Sequence, residues 1–86
     1  MPRTKTPANI VGPQIRDRRN QIGLTQEEFA AKCQLNGLDI SRGTLSQIEA
    51  RLRCVTDDEL FALALTLGVS TDSLFPPESK RKRLRR

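Results

Sequence analysis

Histidine is absent from the chain, and its two cysteines, Cys33 and Cys54, lack the C-x-x-C spacing of a metal or redox site. Protein zinc sites are built largely from histidine and closely spaced cysteines, so this poverty of ligands argues against a bound metal. No serine or cysteine has a histidine to serve as its general base, and no glycine-rich phosphate loop occurs. The sequence therefore predicts neither an enzyme nor a protein that holds a cofactor.

Aromatic residues are also scarce, since the chain has no Trp or Tyr and only three Phe. Proteins that bind single-stranded nucleic acid stack bases on aromatic side chains, and this chain offers little for such stacking. No apolar run approaches the roughly 18 residues of a membrane-spanning helix, and residues 1–12 lack the apolar centre of a secretory signal. We therefore expect a soluble cytoplasmic protein.

The 86 residues carry a net charge of +5, and the cations are concentrated at the two ends. Between Gly12 and Phe75, seven basic residues stand against nine acidic ones, whereas residues 79–86 read SKRKRLRR. Composition thus predicts a flexible N-terminal arm at 1–9, one folded domain at 10–77 and a disordered basic tail at 78–86. We expect the tail to add nonspecific affinity for DNA; a nuclear targeting signal in a eukaryotic host and an inert solubilising segment are the alternatives.

Signals for helix starts and ends predict an all-α domain of five helices. Pro13 suits a first helical position, and T-x-x-E capping boxes begin at Thr25 and Thr56. Gly23 and Gly68 are placed to end helices. The five predicted helices begin near Gly12 or Pro13, at Thr25, at Ser41, at Thr56 and at Ser70.

Helical spacing of apolar residues predicts an inward-facing stripe on each of the first four helices. The stripes contain Val11, Ile15 and Ile22; Phe29, Ala30 and Cys33; Leu45, Ile48 and Leu52; and Leu60, Leu63, Ala64 and Leu67. Arg19 and Glu49 fall on two of these stripes. Because an unpaired buried charge is costly, we predict that they form a buried ion pair, unless one of them reaches water from the edge of its stripe.

The main functional indication lies between Thr25 and Arg51. Two short helices are joined there by a turn that contains Gly37, and the second helix, at about 41–50, has a small polar and cationic face opposite its apolar stripe. In a small basic protein this combination is typical of a helix placed in the DNA major groove. From that face Arg42 can grip a guanine, although a phosphate contact or plain solvation is the alternative.

Three motifs resemble the Cro/C1-type (Xre-like) helix-turn-helix family of phage and bacterial repressors. They are R-x-x-x-G-L-T-Q at Arg19–Gln26, S-x-x-T-[IL]-S-x-I-E at Ser41–Glu49 and A-x-x-L-G-V-S-x-D-x-L at Ala64–Leu74. The resemblance covers roughly Ile10 to Phe75. It implies a compact five-helix, lambda-repressor-like domain that binds operator DNA, commonly as a dimer, in a bacterial or phage host.

The same resemblance implies roles for individual residues. The expected base contacts are Arg42, Gly43, Ser46 and Gln47. The expected phosphate contacts are Gln26, Arg51 and Arg53, to which we add Thr44 from the polar face of the helix. Gln26 is also placed to brace the recognition helix. Arg19 and Glu49 match the interhelical ion pair of the family, in agreement with their positions on the apolar stripes.

The chain departs from the family pattern in two places. It has about five more positions between Thr25 and Glu49 than a standard helix-turn-helix. The extra residues fall in Gln34–Ile40, so either the second helix is longer or the turn is a true loop. Gly43 stands where a base-reading side chain is common, which leaves one base unread or lets the backbone approach closely.

Together these features predict a sequence-specific DNA-binding transcriptional regulator, most simply a homodimeric repressor. No small-molecule effector and no membrane partner are indicated. The apolar residues expected at the dimer contact are Leu67, Val69, Leu74 and Phe75. One alternative is an antitoxin-like or anti-repressor-type protein-interaction module on the same fold. The other is a nonspecific nucleic-acid binder driven by the basic tail.

Overall fold

The fold of residues 8–77 is built from four short α-helices and one 3₁₀ turn. The structure, a computed structural model, describes this range, so residues 1–7 of the predicted arm and the predicted tail at 78–86 lie outside it. The elements are α1 (Gly12–Gln21), α2 (Gln26–Leu35), α3 (Arg42–Glu49), α4 (Asp57–Leu67) and the 3₁₀ turn Thr71–Leu74. The all-α prediction is confirmed. None of these helices has the length and apolar character needed to cross a membrane.

The predicted fifth helix is the single 3₁₀ turn. Gly68 adopts a left-handed conformation, with φ of 75°, and ends α4. Phe75 is extended because a following proline disfavours the helical conformation in the residue before it. Ser70 is extended as well, so only Thr71–Leu74 are left for the helical element. The short element nevertheless completes the core, since Leu74 is fully buried.

The two capping boxes are confirmed. The hydroxyl of Thr25 accepts a hydrogen bond from the backbone N–H of Glu28 at 3.1 Å, and the Glu28 carboxylate accepts one from the Thr25 N–H at 2.9 Å. Thr56 and Glu59 make the same reciprocal pair at 3.2 and 3.0 Å. Each box satisfies two N–H groups that a helix start otherwise leaves unpaired. The first residues of α2 and α4 are therefore fixed by local sequence.

The core follows the predicted stripes with two exceptions. Its buried apolar residues are Val11, Ile15, Phe29, Ala30, Cys33, Ile40, Leu45, Ile48, Leu63, Ala64, Leu67 and Leu74. Ile22 and Leu52, however, are 49% and 75% exposed. Both lie just beyond a helix end, α1 at Gln21 and α3 at Glu49. The helical spacing that places a residue on the inward face no longer applies there.

The exposure predicted for the dimer contact is wrong for two of its four residues, Leu67 and Leu74. Leu67 is only 7% exposed and Leu74 is fully buried, while Val69 and Phe75 are half-buried against the same core. These side chains pack where α4 meets α1 and the 3₁₀ turn. The sequence showed that these residues are apolar and close together along the chain. In the structure they pack into the core of the domain.

The extra residues between α2 and α3 form a true loop, Asn36–Ser41, and do not lengthen α2. Gly37 takes the left-handed conformation, with φ of 89°. The side-chain amide of Gln34 donates to the carbonyl oxygen of Ile40 at 2.9 Å, which ties the two ends of the loop together. Ile40 is buried and Leu38 is half-buried. The loop is thus anchored at both ends immediately before α3 begins.

Gly12 allows the start of α1 to lie directly against the end of α3. A Cβ at this position would overlap the carbonyl oxygen of Ile48 and would lie 3.1 Å from that of Glu49. The backbones of the two helices therefore meet without an intervening side chain. Any side chain at position 12 must push α3 away from α1.

We expect Gly12→Ala to lower the free energy of unfolding by about 1–3 kcal/mol, the usual range for overpacking. Gly43→Ala is the matched control, because it also lies within a helix but its Cβ would meet nothing closer than Ser41 Oγ at 3.8 Å. This control should leave stability unchanged or raise it by up to about 1 kcal/mol through helix propensity. Urea unfolding followed by circular dichroism measures both, and equal effects would contradict the close approach at Gly12.

Candidate nucleic-acid interface

The helix α3 has two distinct faces. Its inner face is made of Leu45, Ile48 and Glu49, each no more than 5% exposed. Its outer face is open to solvent and carries Arg42, Gly43, Ser46 and Gln47, followed by Ala50 just past the helix end. The structure thus brings all four predicted base-contacting residues together on one polar surface. The remainder of the range 8–77 does not cover that surface.

The amino-terminal end of α3 is fixed by Ser41. Its hydroxyl accepts a hydrogen bond from the backbone N–H of Thr44 and donates one to the Thr44 hydroxyl, both at 3.1 Å. Thr44 is half-buried, on the first turn of the helix, where exposed N–H groups favour anions. Its predicted phosphate contact is compatible with this place and stays a prediction.

A buried ion pair holds the inner face of α3 to α1. The Nε of Arg19 donates to Oε2 of Glu49 at 2.7 Å, and its Nη2 donates to Oε1 at 2.9 Å. The remaining terminal nitrogen, Nη1, donates to the carbonyl oxygen of Leu24 at 2.8 Å. The hydrogen bond to Glu49 raises the pKa of Arg19 above its ordinary value, although burial acts in the opposite direction. The predicted Arg19–Glu49 pair is therefore confirmed, in the two-pronged geometry that arginine favours.

Gln26 extends this network to α2. Its Nε2 donates to Oε1 of Glu49 at 3.0 Å, so one carboxylate receives donors from two other helices. The amide nitrogen has a second hydrogen, and the half-buried side chain lies at the first residue of α2. Gln26 is thus shown to brace α3, and its contact with a phosphate stays a prediction.

The two arginines of the loop after α3 differ in their surroundings. Arg53 forms a two-pronged salt bridge with Glu59 at 2.9 and 3.0 Å and also donates to the carbonyl oxygen of Cys54 at 3.0 Å. The hydrogen bond from Arg53 lowers the pKa of Glu59, despite partial burial. Arg51 instead donates from Nε to the carbonyl oxygen of Asn9 at 2.9 Å. Sequence placed both arginines along the DNA backbone, and the structure gives only Arg53 an acidic partner within 8–77.

Two contributors to this surface were missed by sequence reasoning. Asn9, assigned to the flexible arm, has its side chain hydrogen-bonded to the start of α1, the end of α3 and the loop beyond it. An asparagine three residues ahead of Gly12 is a favoured helix-capping type, so the signal was present. Glu59 was assigned to capping alone, and it also holds Arg53. Nothing local in the sequence indicated that second role.

The consecutive helices α2 and α3, the second exposed on one face and held on the other by Arg19 and Gln26, form a helix-turn-helix arrangement. A helix-turn-helix family model matches residues 15–74, which is most of the chain. The chain belongs to the Cro/C1-type helix-turn-helix family of DNA-binding transcriptional regulators. No curated protein sequence matches it.

Two solved structures resemble the chain over most of their length. One is the hypothetical transcription factor NHTF from Neisseria, with 27% identity and a TM-score of 0.69 over 99% of this chain and 92% of that one. The other is the restriction-modification controller protein C.AhdI from Aeromonas hydrophila, with 31% identity and a TM-score of 0.64 over 76% of this chain and 87% of that one. Both likenesses agree with the family assignment.

A third likeness is to an enzyme, the hydroxypropylphosphonic acid epoxidase from S. wedmorenis. The identity is 29% and the TM-score 0.63, over 86% of this chain but only 37% of the epoxidase chain. The shared part is a minority of the enzyme. The likeness therefore concerns the fold of that part alone and gives no reason to assign the epoxidase activity to this chain.

We expect Arg19→Met to lower the free energy of unfolding by about 3–5 kcal/mol, because it leaves the Glu49 carboxylate buried without its cation. The double variant Arg19→Met/Glu49→Leu should recover most of that loss, since an apolar pair leaves no buried charge. Arg16→Met is the control on the exposed side of the same helix, where the side chain is 52% exposed. It should change stability by less than about 0.5 kcal/mol.

Chemical unfolding of the four proteins measures these differences. An unfolded single variant beside a folded double variant supports the same conclusion. A double variant no more stable than Arg19→Met would show that the cost does not arise from the unpaired carboxylate.

Proposed function

We propose that the protein is a sequence-specific regulator that inserts α3 into the major groove of operator DNA and reads base edges from its outer face. The observation that carries the proposal is the division of α3 into an exposed polar face and an inner face held by the core and by the Arg19–Glu49 pair. The major groove admits an α-helix, and base reading requires side chains held in fixed positions. A helix held in this way can enter the groove and keeps its outward side chains in fixed positions.

Individual residues on the outer face suit particular bases. The guanidinium of Arg42 can donate two hydrogen bonds to guanine O6 and N7, and the amide of Gln47 can pair with adenine N6 and N7. Ser46, one residue before Gln47, is short enough to serve a base edge or a bridging water. At Gly43 the surface is open, so the helix backbone can approach the groove closely. Gln26, Thr44 and Arg51 would hold the flanking phosphates.

Regulation by occupancy follows from this mode of binding. A protein that covers promoter DNA blocks the polymerase without any enzymatic step, so the proposal is a repressor without catalytic activity. The likeness to a hypothetical transcription factor and to a restriction-modification controller protein supports a regulatory role. Such a protein would act in the cytoplasm of a bacterial or phage-infected cell.

A homodimer is the proposed binding species, with a contact surface on α4. Phe61 and Leu65 are 63% and 56% exposed, and their spacing of four residues places them side by side on the helix. The helix packs through its other side against α1, α2 and the 3₁₀ turn. A second copy could therefore bind Phe61 and Leu65 without displacing the core contacts of α4. Two such copies would read half-sites about 34 Å apart, one turn of the duplex.

We expect Arg42→Ala to reduce discrimination between operator and scrambled duplexes by about 1–3 kcal/mol, because a base contact is lost. Arg51→Gly should instead weaken binding to all sequences alike and reduce the salt slope by about 1, because a phosphate contact is lost. Salt titrations of both variants on both duplexes provide the measurement.

The same titrations with residues 79–86 removed test the nonspecific alternative. Loss of all binding in the shortened protein, or indistinguishable behaviour of Arg42→Ala and Arg51→Gly, would contradict base reading by α3. Binding to neither duplex by the full chain would favour the protein-interaction module.

We expect Leu65→Asp to weaken self-association by more than tenfold, about 1.4 kcal/mol, since a charge would be buried at the contact. Leu52→Asp is the matched control, because Leu52 is 75% exposed but lies in the loop after α3. Sedimentation velocity over a concentration series measures the association. A wild-type protein that stays monomeric both free and on operator DNA would overturn the homodimer.

A further inference from the structure

The loop after α3 contains a backbone conformation that its side chain does not favour. Arg51 has a φ of 66°, and it is the one residue other than glycine with a positive φ in the range 8–77. Side chains that carry a Cβ rarely adopt this left-handed region, which glycine enters freely. Contacts from outside the loop hold it there, since the N–H of Ala8 donates to the Arg51 carbonyl oxygen at 3.1 Å.

The side chain of Asn9 connects this loop to two helices. Its Oδ1 accepts hydrogen bonds from the backbone N–H groups of Val11 and Gly12 at 3.1 and 2.8 Å. Its Nδ2 donates to the carbonyl oxygens of Ile48 and Arg53 at 3.1 and 2.8 Å. A carboxamide can make four hydrogen bonds of this kind, two as donor and two as acceptor, and all four are made. The start of α1, the end of α3 and the loop are therefore held by one side chain.

The backbone of Asn9 also holds the Arg51 side chain. The Nε of Arg51 donates to the Asn9 carbonyl oxygen at 2.9 Å, and the residue is half-buried. Neither terminal nitrogen of Arg51 forms a salt bridge or hydrogen bond with another residue of the described part of the chain. Those two nitrogens present the parallel N–H groups that suit a phosphate. The guanidinium is thus held at Nε, and its two terminal nitrogens have no partner among residues 8–77.

We propose that Asn9 is a positioning residue that aims the Arg51 guanidinium at a DNA phosphate. The inference rests on the proposed function and adds a residue to it. The fold needs a left-handed residue at position 51, and glycine would supply that conformation with less strain. Fold stability alone therefore does not account for an arginine here. An ordered arginine loses less side-chain entropy when it binds, which favours the contact.

The two arginines of the loop have different partners, which gives them different roles. Arg53 is paired with Glu59, so its charge is largely balanced within the protein. Arg51 has no acidic partner within residues 8–77, so we assign the contact with the DNA backbone to its charge. Asn9 acts on both, since it fixes the Arg53 backbone and the Arg51 side chain.

A double-mutant cycle on the full-length chain tests the proposal. Asn9→Asp keeps the acceptor for the start of α1 and removes both donors to Ile48 and Arg53. Asn20→Asp is the control, because Asn20 is exposed near the end of α1 and gains the same charge. Each change is made alone and with Arg51→Gly. Affinity is measured over a salt series on a duplex that the wild-type protein selects from a random pool and on a scrambled version of that duplex, and thermal unfolding is followed in parallel.

We expect Asn9→Asp to weaken binding to both duplexes several-fold more than Asn20→Asp does, and to reduce the salt slope by about 1. In the Arg51→Gly background, the difference in affinity between the two Asn variants should become smaller, because the part of the effect that acts through the Arg51 guanidinium is gone. Arg51→Gly should itself raise the unfolding temperature while it weakens binding, because it relieves the left-handed strain. If Asn9→Asp does not fold, Asn9→Ser replaces it, with Asn20→Ser as its control. Serine keeps a capping oxygen but cannot reach both carbonyl oxygens, and the same outcomes are expected.

An effect of Asn9→Asp on affinity that persists undiminished in the Arg51→Gly background would overturn the proposal, since Asn9 would then act only through the stability of the fold. Equal effects of Asn9→Asp and Asn20→Asp in the wild-type background would overturn it as well. Wild-type protein that binds both duplexes equally would instead overturn the proposed function.

Discussion

The arrangement of the domain depends on the hydrogen bonds that the Glu49 carboxylate accepts. It receives two hydrogen bonds from Arg19 on α1 and one from Gln26 on α2, and it lies on the inner face of α3. Both partners contact the inner face of α3. They therefore hold α3 against the core and leave its outer face uncovered. A buried charge satisfied by three donors tolerates little displacement. The pose of the candidate recognition helix is therefore set by an electrostatic contact as much as by apolar packing.

A second set of contacts acts at the carboxyl-terminal end of the same helix. Gly12 lets α1 touch the last turn of α3, and Asn9 joins that turn to the following loop. The loop conformation at Arg51 is unfavourable by itself and is held by these neighbours. The two sets of contacts therefore fix both the direction of α3 and the place where the chain leaves it.

Local rules were enough to predict much of this fold. The capping boxes at Thr25 and Thr56 mark helix starts whose geometry depends on residues within one turn. The Arg19–Glu49 pair could be inferred because charges on apolar stripes need partners. Other features depend on tertiary contacts that a single sequence does not display. Leu67 and Leu74 could have formed an interface or a core, and Asn9 gains its partners Ile48 and Arg53 only when α1 and α3 meet.

The central claim is that the outer face of α3 reads DNA bases. Selection of bound duplexes from a random pool with the full chain, repeated with Ser46→Ala/Gln47→Ala, tests it most directly. We expect the wild-type protein to enrich a near-palindromic motif with half-sites about 10 base pairs apart, and the double variant to lose preference at defined positions within each half-site. An identical motif from both proteins, or no motif from either, would contradict it.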